Sequence, residues 1–276
     1  MSILHSYCHH ATDPWFNMAF DEVMLGEVIH RPEKILLRLY TWSPGAITIG
    51  VNQQVARAIC VEKLGGTPLL RRITGGRAVY HDVSELTYAV ALNLDNPGLV
   101  GWQTSVTSVY LRLAEGLRLF LGKLGRSTQI VRRVAGERLQ RADCVTAPCF
   151  QSAARCELTE AGAKLLASAQ RQSGTGILQH GSIKLHGVVW HPALAGDSQQ
   201  LQAVSQPIEQ EYLERFSTQF TDTLGDWFGV SPNDSTPAPL DQYCLADRLA
   251  MIRTDPLGKR IPVERGARGS SLLLRG

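Results

Sequence analysis

Apolar residues return at the helical period in several stretches of this chain and at shorter spacing in others. Asp13-Pro14 puts a helix-capping side chain just ahead of a proline suited to a first turn. Phe16, Ala19, Phe20, Val23 and Met24 then share one helical face. A second helix is predicted from about Ser105 to Leu124. There Val106, Val109, Tyr110, Leu113, Leu117, Phe120 and Leu124 keep the period, and Arg112, Glu115 and Arg118 turn away. A third carries Ile208, Tyr212, Phe216, Phe220 and Leu224 on one side. Asn52 is placed to cap a shorter helix bearing Val55, Ile59 and Val61, and Leu240 to Ile252 reads as a last one.

Between these helices lie runs of strand character. Ile35 to Tyr40 and Ala46 to Gly50 are predicted strands joined by the turn-rich Thr41-Trp42-Ser43-Pro44-Gly45. Leu69 to Ile73 is another, broken at Thr74-Gly75-Gly76-Arg77, and Leu86 to Leu92 follows. From Cys149 to Leu185, β-like runs alternate with glycine-containing turns. Strands at hairpin spacing with helices in separate runs argue for an α+β fold rather than a repeating parallel βαβ unit. The main body is expected over residues 1–230. Residues 231–276 are expected to form a linker (Ser231 to Pro239), a short helix, and a loose basic tail from Arg253.

Composition narrows the classes. The chain has 276 residues, 44% hydrophobic and 19% charged, enough to bury a sizeable core. Its formal charge of +3 is too small to argue for nucleic acid and suits an acidic protein partner. No apolar run reaches the roughly 18 residues of a membrane span, and the start shows no basic-then-apolar leader. Six cysteines without a CxxC pair fit reduced thiols in a cytoplasmic protein better than disulfides or zinc, and no His/Cys/Asp/Glu group has metal-ligand spacing.

The densest chemistry is Arg71-Arg72-Ile73-Thr74-Gly75-Gly76-Arg77-Ala78-Val79-Tyr80-His81-Asp82. Paired glycines between strands allow close backbone approach and expose N–H groups, and the three arginines supply forked donors for phosphate or carboxylate. A hairpin turn with a basic rim has the same composition. His81 and His180 stand inside motifs and read as pocket scaffolding, His81 the nearer to substrate; His9-His10 reads as surface. Taken alone, Lys164 is a strand lysine and Cys149 a small apolar residue as readily as either is reactive.

The ordered motifs resemble the biotin/lipoate ligase and octanoyltransferase family. They are Asn17-Met18-Ala19-Phe20-Asp21-Glu22, then Leu37-Arg38-Leu39-Tyr40-Thr41-Trp42-Ser43-Pro44 with Ile49-Gly50 as a first hairpin. The glycine motif follows, then Glu85-Leu86-Thr87-Tyr88, Lys164-Leu165-Leu166-Ala167-Ser168-Ala169-Gln170 and Leu178-Gln179-His180-Gly181-Ser182-Ile183. The resemblance covers about residues 13–190. It implies a class II synthetase- and biotin-ligase-like catalytic domain with a mixed, largely antiparallel sheet and flanking helices. It also implies an acyl pocket drawn from Arg72, Thr74, Gly75, Gly76, Arg77, Ala78, His81, Ser168, Ala169, His180 and Gly181.

Ala147-Pro148-Cys149-Phe150 resembles the segment of the cysteine-dependent octanoyltransferases, where ATP-dependent lipoate ligases typically carry Asn-Asp. The resemblance implies that Cys149 takes an octanoyl group from acyl carrier protein and passes it to a lysine of a lipoyl-domain or glycine-cleavage H-type protein. Lys164 would orient the carbonyl and relay protons. No cofactor is needed on that reading; a ligase would need ATP and magnesium, an amidotransferase would move acyl groups between lipoyl proteins, and a non-catalytic relative would only bind them. Two positions depart from the family pattern. Arg155-Cys156 replaces an aromatic pair, with Cys156 an alternative thiol, and Ala167 replaces a glycine, adding a methyl group to the acyl tunnel.

Overall fold

A computed structural model describes residues 1–99, 101–102, 105–131, 157–194, 206–231, 240 and 242–260. Asp13 caps the first helix by accepting from the Phe16 N–H, with Pro14 in its first turn, and α1 (Pro14–His30) crosses between two parallel strands, β1 (Ile3–Thr12) and β2 (Lys34–Trp42). A helical crossover of this kind is what joins neighbouring parallel strands. β1 is a strand that the hydrophobic pattern does not announce. Its sequence, Ile-Leu-His-Ser-Tyr-Cys-His-His-Ala-Thr, is largely polar, and it is held as an edge strand by pairing Ile3 with Lys34 through His9 with Tyr40.

β3 (Ala46–Ile49) departs from the hairpin expectation. β2 enters a seven-stranded sheet, while β3 turns into a separate three-stranded sheet with β4 (Leu69–Arg71) and β5 (Val79–His81), in the order β4-β3-β5. Alternation marks both strands but does not say which sheet each joins. Between β3 and β4 the predicted helix shrinks to α2 (Val55–Ala58), followed by a single 3-10 turn at Val61–Lys63. Gln54 rather than Asn52 stands at its cap, with no side-chain bond.

The large sheet continues with β6 (Leu86–Asn93), β7 (Gln129–Ile130), β8 (Leu158–Glu160), β9 (Ala163–Ser173) and β10 (Gly176–Ile183). Its order is β1-β2-β6-β10-β9-β8-β7, and only the β1·β2 pair in it is parallel. The α+β class with a mixed, largely antiparallel sheet is therefore as expected.

Helices cover both faces. α3 (Val106–Lys123), capped by Ser105, and α4 (Gln210–Phe228) pack with Leu37, Leu39, Val90, Leu166 and Ile177 on one face. α4 ends at Gly229 in the left-handed region, a conformation glycine adopts freely. Its buried face is Leu213, Ser217, Phe220, Leu224 and Phe228, so Tyr212 stands exposed instead of facing inward. On the opposite face α1 packs with α5 (Gln242–Thr254), where Leu240, Leu249 and Ile252 join Met24, Leu36 and Ala91. The stretch after Arg253 is not loose as far as Arg260, whose side chain is buried. The linker at 232–239 and the tail at 261–276 lie outside the described residues.

Candidate active site

The two sheets enclose a small, narrow cavity of about 40 Å³. The large sheet contributes Tyr40, Thr87, Ala167, Ala169, His180 and Ser182. The small sheet and its glycine loop contribute Thr48, Arg72, Gly76, Val79 and His81, and α1 adds Met18. Its floor is built of small and apolar groups between polar walls.

Two carboxylate–histidine–threonine chains span the gap between the sheets. In the first, Asp21 Oδ2 lies 2.8 Å from His180 Nδ1, and His180 Nε2 lies 2.7 Å from Thr74 Oγ1. Burial opposes ionisation of Asp21. The hydrogen bond from His180 and the Arg38 charge outweigh it, so the carboxyl sits below its ordinary value. An ionised Asp21 only accepts, so His180 donates from Nδ1 and turns its Nε2 to the Thr74 hydroxyl.

In the second chain Glu85 Oε1 lies 2.7 Å from His81 Nδ1, and His81 Nε2 lies 2.8 Å from Thr48 Oγ1. Lys184 donates to Glu85 at 2.5 Å and to Asp82 at 2.8 Å. Against the cost of burial, Lys184 and His81 hold Glu85 down at about 2. Burial lowers His81 despite Glu85, leaving a neutral ring stacked on Trp42 with centroids 4.1 Å apart. Both histidines line the cavity, and both ring nitrogens of each are occupied by protein groups.

The arginines of the glycine motif turn their donors onto backbone. Arg71 Nη1 reaches the carbonyls of Gly50, Val51 and Gln53. Arg72 reaches those of Thr48, Gly75 and Arg77. They brace the loop where forked donors for an anion were expected. Gly50 makes room for that loop, because a Cβ there would stand 2.2 Å from the Gly76 carbonyl oxygen. Gly76 itself has φ +91°, a backbone that L side chains rarely adopt.

Of the sequence-predicted pocket residues, Arg72, Gly76, His81, Ser168, Ala169, His180 and Gly181 line the cavity. Thr74, Gly75, Arg77 and Ala78 do not. Thr74 is wholly buried beneath His180, and Ala78 packs against Ile47 and Ile49. Ser168 reaches the lining, but its hydroxyl is bonded to Tyr88 at 2.6 Å. His9, expected at the surface, lies against Phe16 and Phe20 and accepts from Arg38 at 2.9 Å; burial and the Arg38 charge push it down to about 3.

Met18, Tyr40, Thr48, Val79, Thr87 and Ser182 join the site without having been assigned to it, and Ala167, read from the sequence as an added methyl group, lines it too. All but Thr48 sit inside one of the sequence motifs, so motif membership was the available signal.

Lys164 owes its orientation to a register slip. Leu158 pairs with Leu166 but Thr159 pairs with Lys164, so β9 carries one extra residue there. Opposed residues share a face, and the slip therefore transfers Lys164 to the face of Ala167 and Ala169. It does not line the cavity itself. Its Nζ lies 2.7 Å from Glu157 Oε1, both side chains buried. Glu157 immediately precedes β8, and its carbonyl accepts from Val131 N at 2.9 Å. Cys149, Arg155 and Cys156 lie outside the described residues.

Residues 13–210 match the lipoyl protein ligase A/B catalytic domain. The chain is 40% identical over 211 residues, 74% of its length and 71% of the relative's, to a protein named octanoyltransferase LipM from Moorella thermoacetica. A protein of the same name from Kyrpidia tusciae is 34% identical over 250 residues, covering 89% and 84%. Two solved structures share the fold. A lipoate-protein ligase A bound with ATP gives a TM-score of 0.63 at 16% identity, covering 90% of this chain and 94% of that one. A bipartite lipoate protein ligase studied with its E2 lipoyl domain, from Thermoplasma acidophilum, gives 0.62 at 14% identity, covering 91% and 93%. With motifs, fold and cavity in agreement, the chain belongs to the lipoyl protein ligase A/B catalytic family.

Proposed function

We propose that this protein is an octanoyltransferase of protein lipoylation that works through a thioester on Cys149. The observation that carries the reading is the narrow, apolar-floored cavity between Met18, Val79, Ala167 and Ala169, set in a chain 40% identical to a protein named as an octanoyltransferase. The Cys149 thiolate attacks the thioester carbonyl of octanoyl-acyl carrier protein. A carbon–sulfur bond forms, and the phosphopantetheine thiol leaves with a proton. A lysine amine of a lipoyl-domain or H-type protein then attacks the acyl-enzyme, the amide forms, and the amine proton passes to the departing Cys149 thiolate. Lys164, held by Glu157 at the base of the segment that bears Cys149, orients the carbonyl and relays the proton. Thioester to amide runs downhill, so ATP is not consumed.

A ligase holding an acyl-adenylate is the rival within the fold. The bonding of Arg71 and Arg72 to backbone carbonyls supports the transferase, since it engages donors that a phosphate would otherwise take. The deciding experiment is intact-protein mass spectrometry after incubation with octanoyl-acyl carrier protein, without ATP, on wild type and Cys149→Ala. A hydroxylamine-sensitive octanoyl mass on wild type alone is expected. An unmodified wild type that lipoylates only with ATP and free lipoate would overturn the mechanism, and an adduct that persists in Cys149→Ala would move the thiol to another cysteine.

A further inference from the structure

The segment from Arg71 to Thr74, which leads into the glycine loop, is held at its two ends by consecutive residues of α1. At the Thr74 end the hold runs from Asp21 through His180. At the Arg71 end it runs from Glu22 through the C-terminal segment. Arg260 Nε donates to the Arg71 carbonyl at 3.0 Å and lies 3.7 Å from Glu22 Oε1, while Arg248 Nη1 lies 3.1 Å from Glu22 Oε2. The backbone of the same segment completes the edge of the small sheet. Arg71 N donates to the Pro256 carbonyl at 2.8 Å, and Arg71 Nε to that of Leu257 at 2.8 Å. Arg260 is in turn fixed by the carbonyls of Asp255 and Pro256.

A sheet of three strands, each three or four residues long, has little stability of its own. β4 is its edge, and without residues 255–260 the Arg71 N–H would face outward unpaired. Yet β4 runs straight into Arg72 and Gly76, which form one wall of the cavity. Leu70, just before the Arg71 anchor, and Ile73, between the two anchors, are buried against α1, so the wall has few ways to move except by release of an end.

We propose that Asp21-Glu22 and the C-terminal segment 242–260 form a two-point anchor that sets the Arg72–Gly76 wall, with Glu22 and Arg260 as positioning residues for acyl-substrate binding. The effect on catalysis rests on the octanoyltransferase reading; the effect on the loop does not. Residues 242–260 thereby belong to the binding apparatus, although they touch no cavity atom.

The test uses full-length wild type, Arg260→Gln, Arg260→Lys and Glu22→Gln. Hydrogen–deuterium exchange is followed over 68–80 and over β6 and β10, alongside steady-state transfer from octanoyl-acyl carrier protein. Arg260→Gln and Glu22→Gln are expected to speed exchange in 68–80 by about tenfold with β6 and β10 unchanged. They should also raise KM about tenfold while kcat stays within about threefold, and Arg260→Lys should restore both. Exchange in 68–80 that stays at the wild-type rate, or that rises equally in all three regions, would overturn the anchor. If wild type transfers no octanoyl group, the failure falls on the activity, and the exchange result alone decides the anchor.

Discussion

Lys164 Nζ and Glu157 Oε1 meet at 2.7 Å with both side chains buried, Glu157 standing immediately ahead of β8. Removing one partner of a buried pair takes compensation away from the other charge, which costs up to about 3–5 kcal/mol. Glu157→Gln and Lys164→Met should each destabilise by about that amount, and the double variant by clearly less than the sum. Urea unfolding of the four proteins measures the coupling. Lys164→Met should also lower octanoyl transfer by about a hundredfold or more, as loss of a proton-transfer group does.

Ala167 places its methyl group in the cavity lining. One methylene in an apolar pocket discriminates by about 10–200-fold. Ala167→Val should therefore lower kcat/KM for octanoyl donors by about tenfold or more and spare shorter chains. Ala167→Gly should shift preference toward longer or bulkier acyl groups. Competition between hexanoyl, octanoyl and decanoyl donors reads both, and unchanged ratios would remove Ala167 as a length determinant.

Burial pushes the Glu22 carboxyl up to about 7 in spite of Arg248 and Arg260, with Asp21 adding to the rise. A carboxyl whose folded value exceeds its unfolded value near 4.5 favours the folded state most at low pH. That contribution is lost as pH climbs through about 7. The difference in melting temperature between wild type and Glu22→Gln should accordingly move against wild type from pH 5 to pH 8. A constant difference across that range would show that Glu22 does not titrate there.

Gly50→Ala would set a Cβ 2.2 Å from the Gly76 oxygen and 3.0 Å from the Gly75 carbonyl carbon, both backbone atoms. Overpacking against backbone costs about 1–3 kcal/mol. The glycine loop must shift to relieve it, so the variant should melt earlier and bind octanoyl donors more weakly. Gly65→Ala, in open space, makes a poor control because its φ is +57°, whereas Gly122→Ala meets nothing within 4 Å and should leave binding intact.

The helices were the most legible part of the chain. α1 and α3 each carry a side-chain cap and α3 a single apolar face, and these signals are local, although α1 is buried all round from Asn17 to Val28. The pairing of strands was not local. Nothing in Ile35 to Gly50 tells that β2 and β3 part into different sheets, nor does a polar run such as His5 to His10 announce β1. The orientation of Lys164 was hidden for the same reason, since period-two counting groups it with Leu166 until the extra residue reverses it. At the site the glycine motif gave Arg72, Gly76 and His81 directly. It also suggested an anion grip that the backbone bonding of Arg71 and Arg72 replaces with a brace. The C-terminal anchor was illegible, because Arg260 meets Arg71 across 189 residues of sequence.

That separation has a kinetic side. β1, α1 and β2 are neighbours in sequence and pair with one another, so this part of the fold can assemble while the chain is still being made. The cavity wall cannot, because it is braced by Arg260, which is made 189 residues after Arg71. A nascent chain therefore can have β1, α1 and β2 in place well before the Arg72–Gly76 wall is braced, and the order of synthesis delays that brace until residues 255–260 have been made.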